Sequence, residues 1–596
     1  MHRRKLLKSV AALPLLALAP PLIAAAPAPL RRVRPGEPAW PNAADWRKLD
    51  EIVGGALLEV RSLFSACESD GGSVGCRDVL ANIQNPFYIG EQPAGTQVSG
   101  WLDAWTPAPS AYAVKARNST DVAAAINFAR ERRLRLAVKG GGHSYQGTSS
   151  APDSLLIWLR AMNQVTVHDS FVPAGCADKV SPVPAVSAGA GAMWIDLYDA
   201  VTTRGGRYVQ GGGCTTVGVA GLVQSGGFGS FSKGFGSAAA GLLEAEIVTA
   251  DGRVRTVNAC TEPDLYWALK GGGGGTWGVL TRLTLRTHEL PEFMGAAWGK
   301  LRAQSDDAFR RLLDRFFEFY AANLFNPHWG EQVRIGSDNT LEISMVCQGL
   351  DPKQAPQAWQ PFFAWVDAAP RDFTILDKPG AGAKPARHWW DIAGNHSMIK
   401  DKRGGAPAHH GWWEGDQEQV GAFLHGYDSL WLPASLLESK ERPRLIEALI
   451  AGSRSQEIEL HFNKGLAGAP ATAIAATLDT ATNPAVTSAF ALAIMANGEG
   501  PLYPGMGRTS VDEAGAHAQA RAVDQASAQL RRIVPDAGSY VSESNYFNAT
   551  WQQAFWGKNY ARLRAVKDRF DPDGLFVVHH GVGSEDWSAD GFTRLS

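Results

Sequence analysis

The sequence has no surplus of charge of either sign: 57 Lys and Arg stand against 59 Asp and Glu in 596 residues. That balance removes the electrostatic case for nucleic acid or an anionic membrane surface as partner. Beyond its N-terminus it has no apolar run long enough to span a bilayer. Cysteine is scarce, and the six present (Cys67, Cys76, Cys176, Cys214, Cys260, Cys347) include no CxxC pair and no histidine at zinc spacing. No structural metal is therefore expected. The pair His409 and His410 has no carboxylate or cysteine at ligand spacing and reads as a surface pair. A nicotinamide-dinucleotide fingerprint is also missing, because Gly189 and Gly191 follow a strand without the third glycine. The partner these absences leave is a small neutral or modestly charged molecule.

What is present begins with a targeting signal. Arg3 and Arg4 lead a short apolar run ending in alanines and prolines, which reads as a signal peptide over residues 1–28, of the twin-arginine type. Such a route exports chains already folded around a cofactor. Export permits disulfides; Cys67 with Cys76 is the first pairing expected and Cys176 with Cys260 the second, leaving Cys214 outside the scheme.

The chain exceeds what one hydrophobic core usually supports, so more than one domain is expected. "AYAVKA" and "LRLAVK" read as strands around a helix "DVAAAINFARERR" capped from Asn118. "SLLIWL" is a third strand, and the amphipathic stretch "MWIDLYDAVTTRGG" a helix. Asp251-Gly252 lies between two runs of β-formers and predicts a hairpin. A second hairpin is expected around residues 337–339. The fold class is α+β. From about residue 291 the glycine-rich texture stops and helices such as "DDAFRRLLDRFFEFYAANL" appear; the tail reads as a helix ended by Asp571-Pro572, then a strand.

The glycines are concentrated. Eleven fall between Gly211 and Gly241 and six between Gly271 and Gly278, which points to ligand-cradling loops rather than low complexity. In "VKGGGHSYQG", Gly140, Gly141 and Gly142 strip the backbone ahead of His143, Ser144 and Gly147. Such runs let main-chain N–H groups approach a bulky anionic ligand. The loops are too many for one phosphate and suit an extended dinucleotide carrying a ring, a flavin rather than NAD.

Four stretches, "VKGGGHSYQG", "GGGCTTVGVAGLVQSGGFGSFSKGFG", "EPDLYWALKGGGGGTWGVLTRLTL" and "FWGKNYARLRAVKDRFDPDGLF", resemble the berberine-bridge-enzyme-like branch of the vanillyl-alcohol-oxidase flavoproteins. The resemblance covers roughly residues 80–290 and 536–590. It implies a PCMH-type FAD-binding domain over 29–290 with its core at about 105–290, a substrate-binding domain with an antiparallel sheet over 291–535, and a C-terminal segment, 536–596, returning to the first. It implies a covalent, bicovalent FAD: His143 takes the place of the histidine bonded to the flavin 8α-methyl, and Cys214 that of the cysteine bonded to ring carbon 6. Gly213, Thr215, Val217, Gly218, Gly221, Gly227, Gly229 and Asn559 belong to the same cofactor-binding motifs.

For activity, the resemblance implies hydride transfer from an alcohol to the flavin, with a base taking the hydroxyl proton. The base comes from a strand of pattern Tyr-x-Asn-x, matched by Tyr540 to Glu543 with Ser542 in place of asparagine. Glu543 is the first candidate, Tyr540 a flavin-side partner and Tyr546 the fallback. Val217, three residues after Cys214, matches the position whose valine goes with oxidases. Aromatics at Trp389, Trp390, Trp412, Trp413, Tyr427 and Trp431 suit either sugar stacking or core packing. The expected function is an exported oxidase of an alcohol, carbohydrates included, that reduces O2 to hydrogen peroxide. Its rivals are a dehydrogenase using a quinone or another acceptor, and a flavin-holding protein without turnover.

Overall fold

A computed structural model describes residues 30–506 and 511–595; the signal-peptide reading lies outside the described residues. The architecture is α+β and is built on three large sheets, with a small two-stranded one of Met398–Lys400 and Gly411–Trp413.

The first sheet has the order Leu57–Glu59, Tyr112–Lys115, Ser154–Trp158, Arg135–Lys139. Its last two pairings are parallel, and parallel neighbours need a crossover. The helix Ser119–Arg132 carries the chain from Tyr112–Lys115 to Arg135–Lys139, the two strands that flank Ser154–Trp158. Asn118 Oδ1 accepts the Asp121 N–H at 2.9 Å and starts the helix, and Arg133 stops it in a left-handed conformation. Ser154–Trp158 is buried along its whole length, as a strand covered on both faces should be.

The second sheet is antiparallel and runs Val254–Asn258, Leu242–Val248, Val279–Glu289, Val183–Gly189, Val165–Phe171, with Arg207–Val209 pairing the central strand. The predicted hairpin closes through Thr249 N–H to the Arg253 carbonyl. Gly252 sits at φ +77°, and a Cβ there would stand 2.2 Å from Asn127 Oδ1, so only glycine fits. One core joins these two sheets and takes in Trp556, Leu563, Val566 and Phe570 from the C-terminal segment. Both expected disulfides, Cys67–Cys76 and Cys176–Cys260, are formed.

The third sheet has eight strands: Phe373–Pro385, Phe293–Ala303, Thr340–Gln348, Trp329–Ile335, Ile458–His461, Ala489–Glu499, Phe423–Pro433 and Gly100–Trp101. Side chains alternate across it. Leu341, Ile343, Met345 and Cys347 enter a second core with the helices Asp306–Phe319, Gln354–Asp367, Arg442–Ser453 and Glu513–Arg531. Glu342, Ser344 and Val346, between them in sequence, face a cavity instead. No helix among the described residues is long and apolar enough to cross a membrane.

Three expectations change. Tyr540–Glu543 is a turn and not a strand, closed by the Glu543 N–H on the Tyr540 carbonyl at 2.9 Å. No strand follows the helix Tyr560–Phe570 among the described residues; turns at Asp571–Gly574 and Val578–Gly581 bend the chain back. His409 and His410 are not a surface pair. His410 is buried, stacked on Phe87 at 4.1 Å, and both rings turn to Asp196, which three-dimensional folding brings from more than 200 residues away.

Candidate active site

The cavity has a volume of about 1460 Å³, against the ~300–1,000 Å³ of ordinary small-molecule pockets. It has room for a large cofactor and a substrate together. Its floor is the glycine loops and its opposite wall the polar face of the eight-stranded sheet.

The glycines divide into two kinds. A Cβ on Gly141 would stand 2.9 Å from the Gly218 nitrogen and 3.0 Å from the Thr216 carbonyl, so this residue is bare because two loops touch backbone to backbone. The same contact brings His143 to the loop carrying Cys214, with His143 Nε2 3.1 Å from Thr216 Oγ1. Gly211 is pressed against the Trp194 ring, and Gly229 against the Gly211 carbonyl. Gly213, Gly221 and Gly274 differ: they line the cavity, and no protein atom lies within 3.5 Å of where a Cβ would be. The protein itself gives no reason for their bareness, whereas a ligand lying along them would. Gln146 Oε1, Gln224 Oε1 and His580 Nδ1 are buried on the same wall without a protein partner. Both observations fit a polar dinucleotide cofactor.

Burial pushes His143 down to about 4, which leaves the imidazole neutral at pH 7 with a free lone pair. Burial pushes the Cys214 thiol well up, and the neighbouring Asp416 adds to this. Asp416 is itself pushed up to about 6 by burial.

At the far end, Lys464 Nζ donates to both oxygens of Glu543, at 2.7 and 2.6 Å. Lys464 ends the short turn Phe462–Lys464 after the strand Ile458–His461, and its carbonyl is held by Trp431 Nε1 at 2.8 Å. Ser429 Oγ donates to the Glu543 carbonyl and fixes the turn from the other side. Tyr540 is buried edge-on to Phe228, ring centres 5.1 Å apart, and burial, with the nearby Glu543 charge, raises its hydroxyl well above the usual range. Beyond the pair lie Glu459 and His461, 3.1 Å apart. Burial opposes the ionisation of Glu459, but the bond from His461 and the charges of Arg334 and Lys464 hold it down to about 2.

Of the sequence-predicted residues, Gly140, Gly141, Gly142, His143, Ser144, Gly213, Cys214, Val217, Gly218, Gly221, Gly229, Tyr540 and Glu543 line this one cavity. Five are off its wall. Gly147 lies under the Trp105 ring and Gly227 against Leu222 and Ala238. Thr215 Oγ1 donates to the Gly411 carbonyl, and Asn559 Nδ2 to the carbonyls of Ala481 and Thr482. Tyr546 stacks at 3.7 Å on His579, which does reach the cavity. Among the aromatics, Trp389, Trp413 and Tyr427 face the cavity, while Trp390 stacks on Tyr198 at 4.0 Å in the core.

Sequence reasoning missed Lys464, Asp416, Arg334, Glu342, Glu459 and His461. The strand residues carried a readable signal, because "EQVRI", "TLEISMVCQ" and "IELH" alternate apolar with polar. Asp416 and Lys464 follow short strands and carried none.

The buried histidines set an acid limit. His143, His288 and His580 are held down to about 4, 4 and 3, in each case first by burial. Their folded values lie below the unfolded value of about 6.5. The unfolded chain therefore binds more protons, and stability falls as pH drops from about 6.5 toward 4. Asp416, Glu457 and Asp524, each raised first by burial, oppose this, while His579, lowered by burial, and Asp196 and Glu459, held down against burial by their histidine partners, add to it. Denaturant midpoints between pH 7 and 4 are expected to decline steadily; a flat profile would contradict these assignments.

The FAD binding domain family matches residues 110–258, and the berberine and berberine-like family matches residues 535–583. The VAO-type flavoprotein oxidase VAO615 of Thermothelomyces thermophilus is 28% identical, covering 95% of each chain. The FAD-linked oxidoreductase notD' of Aspergillus versicolor is 28% identical over 95% of this chain and 90% of its own. The crystal structure of MtVAO615 from Myceliophthora thermophila C1 superposes with a TM-score of 0.77 at 26% identity, over 95% of this chain and all of the other. Glucooligosaccharide oxidase from Acremonium strictum, studied for its 6-S-cysteinyl, 8α-N1-histidyl FAD, shares the fold at a TM-score of 0.61 and 21% identity, covering 82% of this chain and 94% of the other.

Proposed function

We propose that this chain, which belongs to the berberine-bridge-enzyme-like FAD-linked oxidoreductases of the vanillyl-alcohol-oxidase type, is an exported oxidase of an alcohol or sugar hydroxyl. The observation that carries the reading is one continuous cavity, walled by bare glycines, His143 and Cys214 at one end and by the Glu543–Lys464 pair at the other. FAD, when bound, supplies the hydride acceptor and the route for electrons to dioxygen.

The residues divide the remaining work. Glu543 accepts the hydroxyl proton as the C–H bond breaks, and Lys464 holds both carboxylate oxygens in place. Tyr145 and Tyr427, with ring centres 5.4 Å apart, and Trp413 offer apolar faces to a ring. Arg334, Glu342, Glu459 and His461 give a row of hydrogen-bonding groups on the sheet wall, suited to a substrate with several hydroxyls. That row, with the carbohydrate oxidases among the proteins sharing the fold, supports a sugar as substrate. The two disulfides suit an oxidising compartment. Anaerobic addition of alcohols, sugars and amines should bleach the flavin with the sugar class, and air should then release hydrogen peroxide. Bleaching by amines alone would overturn the substrate class, and bleaching by none would leave a protein that holds flavin without turning over.

His143 and Cys214 each bond the cofactor in this reading, which prevents its loss outside the cell. The purified protein should stay yellow after acid denaturation. His143→Ala and Cys214→Ala should each keep one link, and only the double variant should release free FAD. An absorption spectrum of Cys214→Ala identical to wild type would remove the second bond.

A further inference from the structure

Asp416 is a half-buried acid on the cavity wall with no role so far. It sits in the first turn of the short helix Glu414–Gln419, which follows the strand Gly411–Trp413. The Thr215 hydroxyl holds the Gly411 carbonyl at 2.8 Å and so fixes this segment on the loop that carries Cys214. Asp416 lines the cavity together with Cys214, and the carboxyl and the thiol are close enough that each bears on the other's ionisation. Its Oδ2 is buried on the cavity side without a partner. The other titratable groups bearing on Cys214 are Glu331, Lys464, Tyr145 and Tyr198. Of these, Glu331 and Lys464 stand on the sheet wall, and neither tyrosine is ionised.

We propose that Asp416 is the base that accepts the Cys214 thiol proton while the sulfur forms its thioether to the cofactor ring. This rests on the reading of Cys214 as an attachment residue. Only the thiolate is nucleophilic, and burial beside a carboxylate makes the thiolate scarce at neutral pH unless the proton has a nearby acceptor. The new C–S bond replaces one S–H and one ring C–H bond. One proton goes to Asp416 and the other to solvent, and the two electrons released pass through the ring to dioxygen, which becomes hydrogen peroxide. Burial raises Asp416 to about 6, closer to the thiol than an exposed aspartate would be, which improves the transfer.

Counting free thiols in denaturant tests this without any substrate. Cys214 and Cys347 are the two cysteines outside disulfides among the described residues. Wild type as purified should show one reactive thiol. Asp416→Asn should show two, with FAD still held through His143, because attachment slows by ~10²- to 10⁴-fold. Asp416→Glu should return the count to one. In air, the extra thiol of Asp416→Asn should disappear faster as pH is raised, about tenfold per unit below the thiol pKa, as hydroxide takes over the base's part. A purely structural role for Asp416 would give no such alkaline rescue. If Asp416→Asn does not fold, Asp416→Ser takes the same measurement. Two thiols in wild type would overturn the attachment reading itself; one thiol in both wild type and Asp416→Asn would overturn the role of Asp416 alone.

Discussion

Reduction of the bound flavin by substrate is expected to slow ~10²- to 10⁴-fold in Glu543→Gln, with little change in substrate affinity. Glutamine keeps the length and shape of the side chain and removes its basicity. The proton then has no acceptor at the point where the C–H bond breaks. The effect must be separated from the loss of the ion pair, since Lys464 donates two hydrogen bonds to Glu543 in a site where their side chains are 10% and 21% exposed. Breaking such a pair from one side leaves a charge without its partner, a loss that reaches ~3–5 kcal/mol when burial is complete. Lys464→Met leaves the carboxylate in place without its clamp, so it should lower stability comparably but slow reduction less. Rapid anaerobic mixing with substrate gives the rates, and denaturant midpoints give the stabilities. Unaltered reduction in Glu543→Gln would move the base to Tyr540, which lines the same wall; Tyr546 is off the wall, stacked on His579.

The second large effect concerns oxygen. Val217→Leu is expected to slow reoxidation of the reduced protein about tenfold or more, with little effect on the reductive half-reaction. Val217 lines the cavity between Cys214 and Gly218, and its carbonyl is fixed by the Trp194 N–H at 3.1 Å. The backbone is therefore held, and an added methylene must take its volume from the cavity. Packed interiors have little slack with which to restore such a space. Stopped-flow mixing with oxygenated buffer reads the rate directly. An unchanged rate in the leucine variant would make Val217 an ordinary wall residue.

Much of the fold could be read from local chemistry. Asn118 as a helix cap, Asp251-Gly252 as a turn, and the pairing of Cys67 with Cys76 each depend on neighbours in sequence, and all stand as read. The carboxylate's partner could not be read this way: Lys464 and Glu543 are 79 residues apart and meet only through the turn at Tyr540 and the sheet strand Ile458–His461. His410 misled for the same reason, since Asp196 and Phe87, which bury it, are distant in sequence. The glycines taught something different. Gly141 looked like a ligand contact but is bare because two loops touch, whereas Gly213, Gly221 and Gly274 face open cavity that a ligand would fill.

A flavin held in this cavity that hands its electrons to oxygen has a kinetic signature of its own. The most direct measurement is anaerobic reduction of wild type with dithionite, followed by rapid mixing with oxygenated buffer in one arm and a soluble quinone in the other. Oxygen should restore the oxidised spectrum within seconds and yield one hydrogen peroxide per flavin. Slow recovery in oxygen together with fast recovery in quinone would contradict it and make the protein a dehydrogenase.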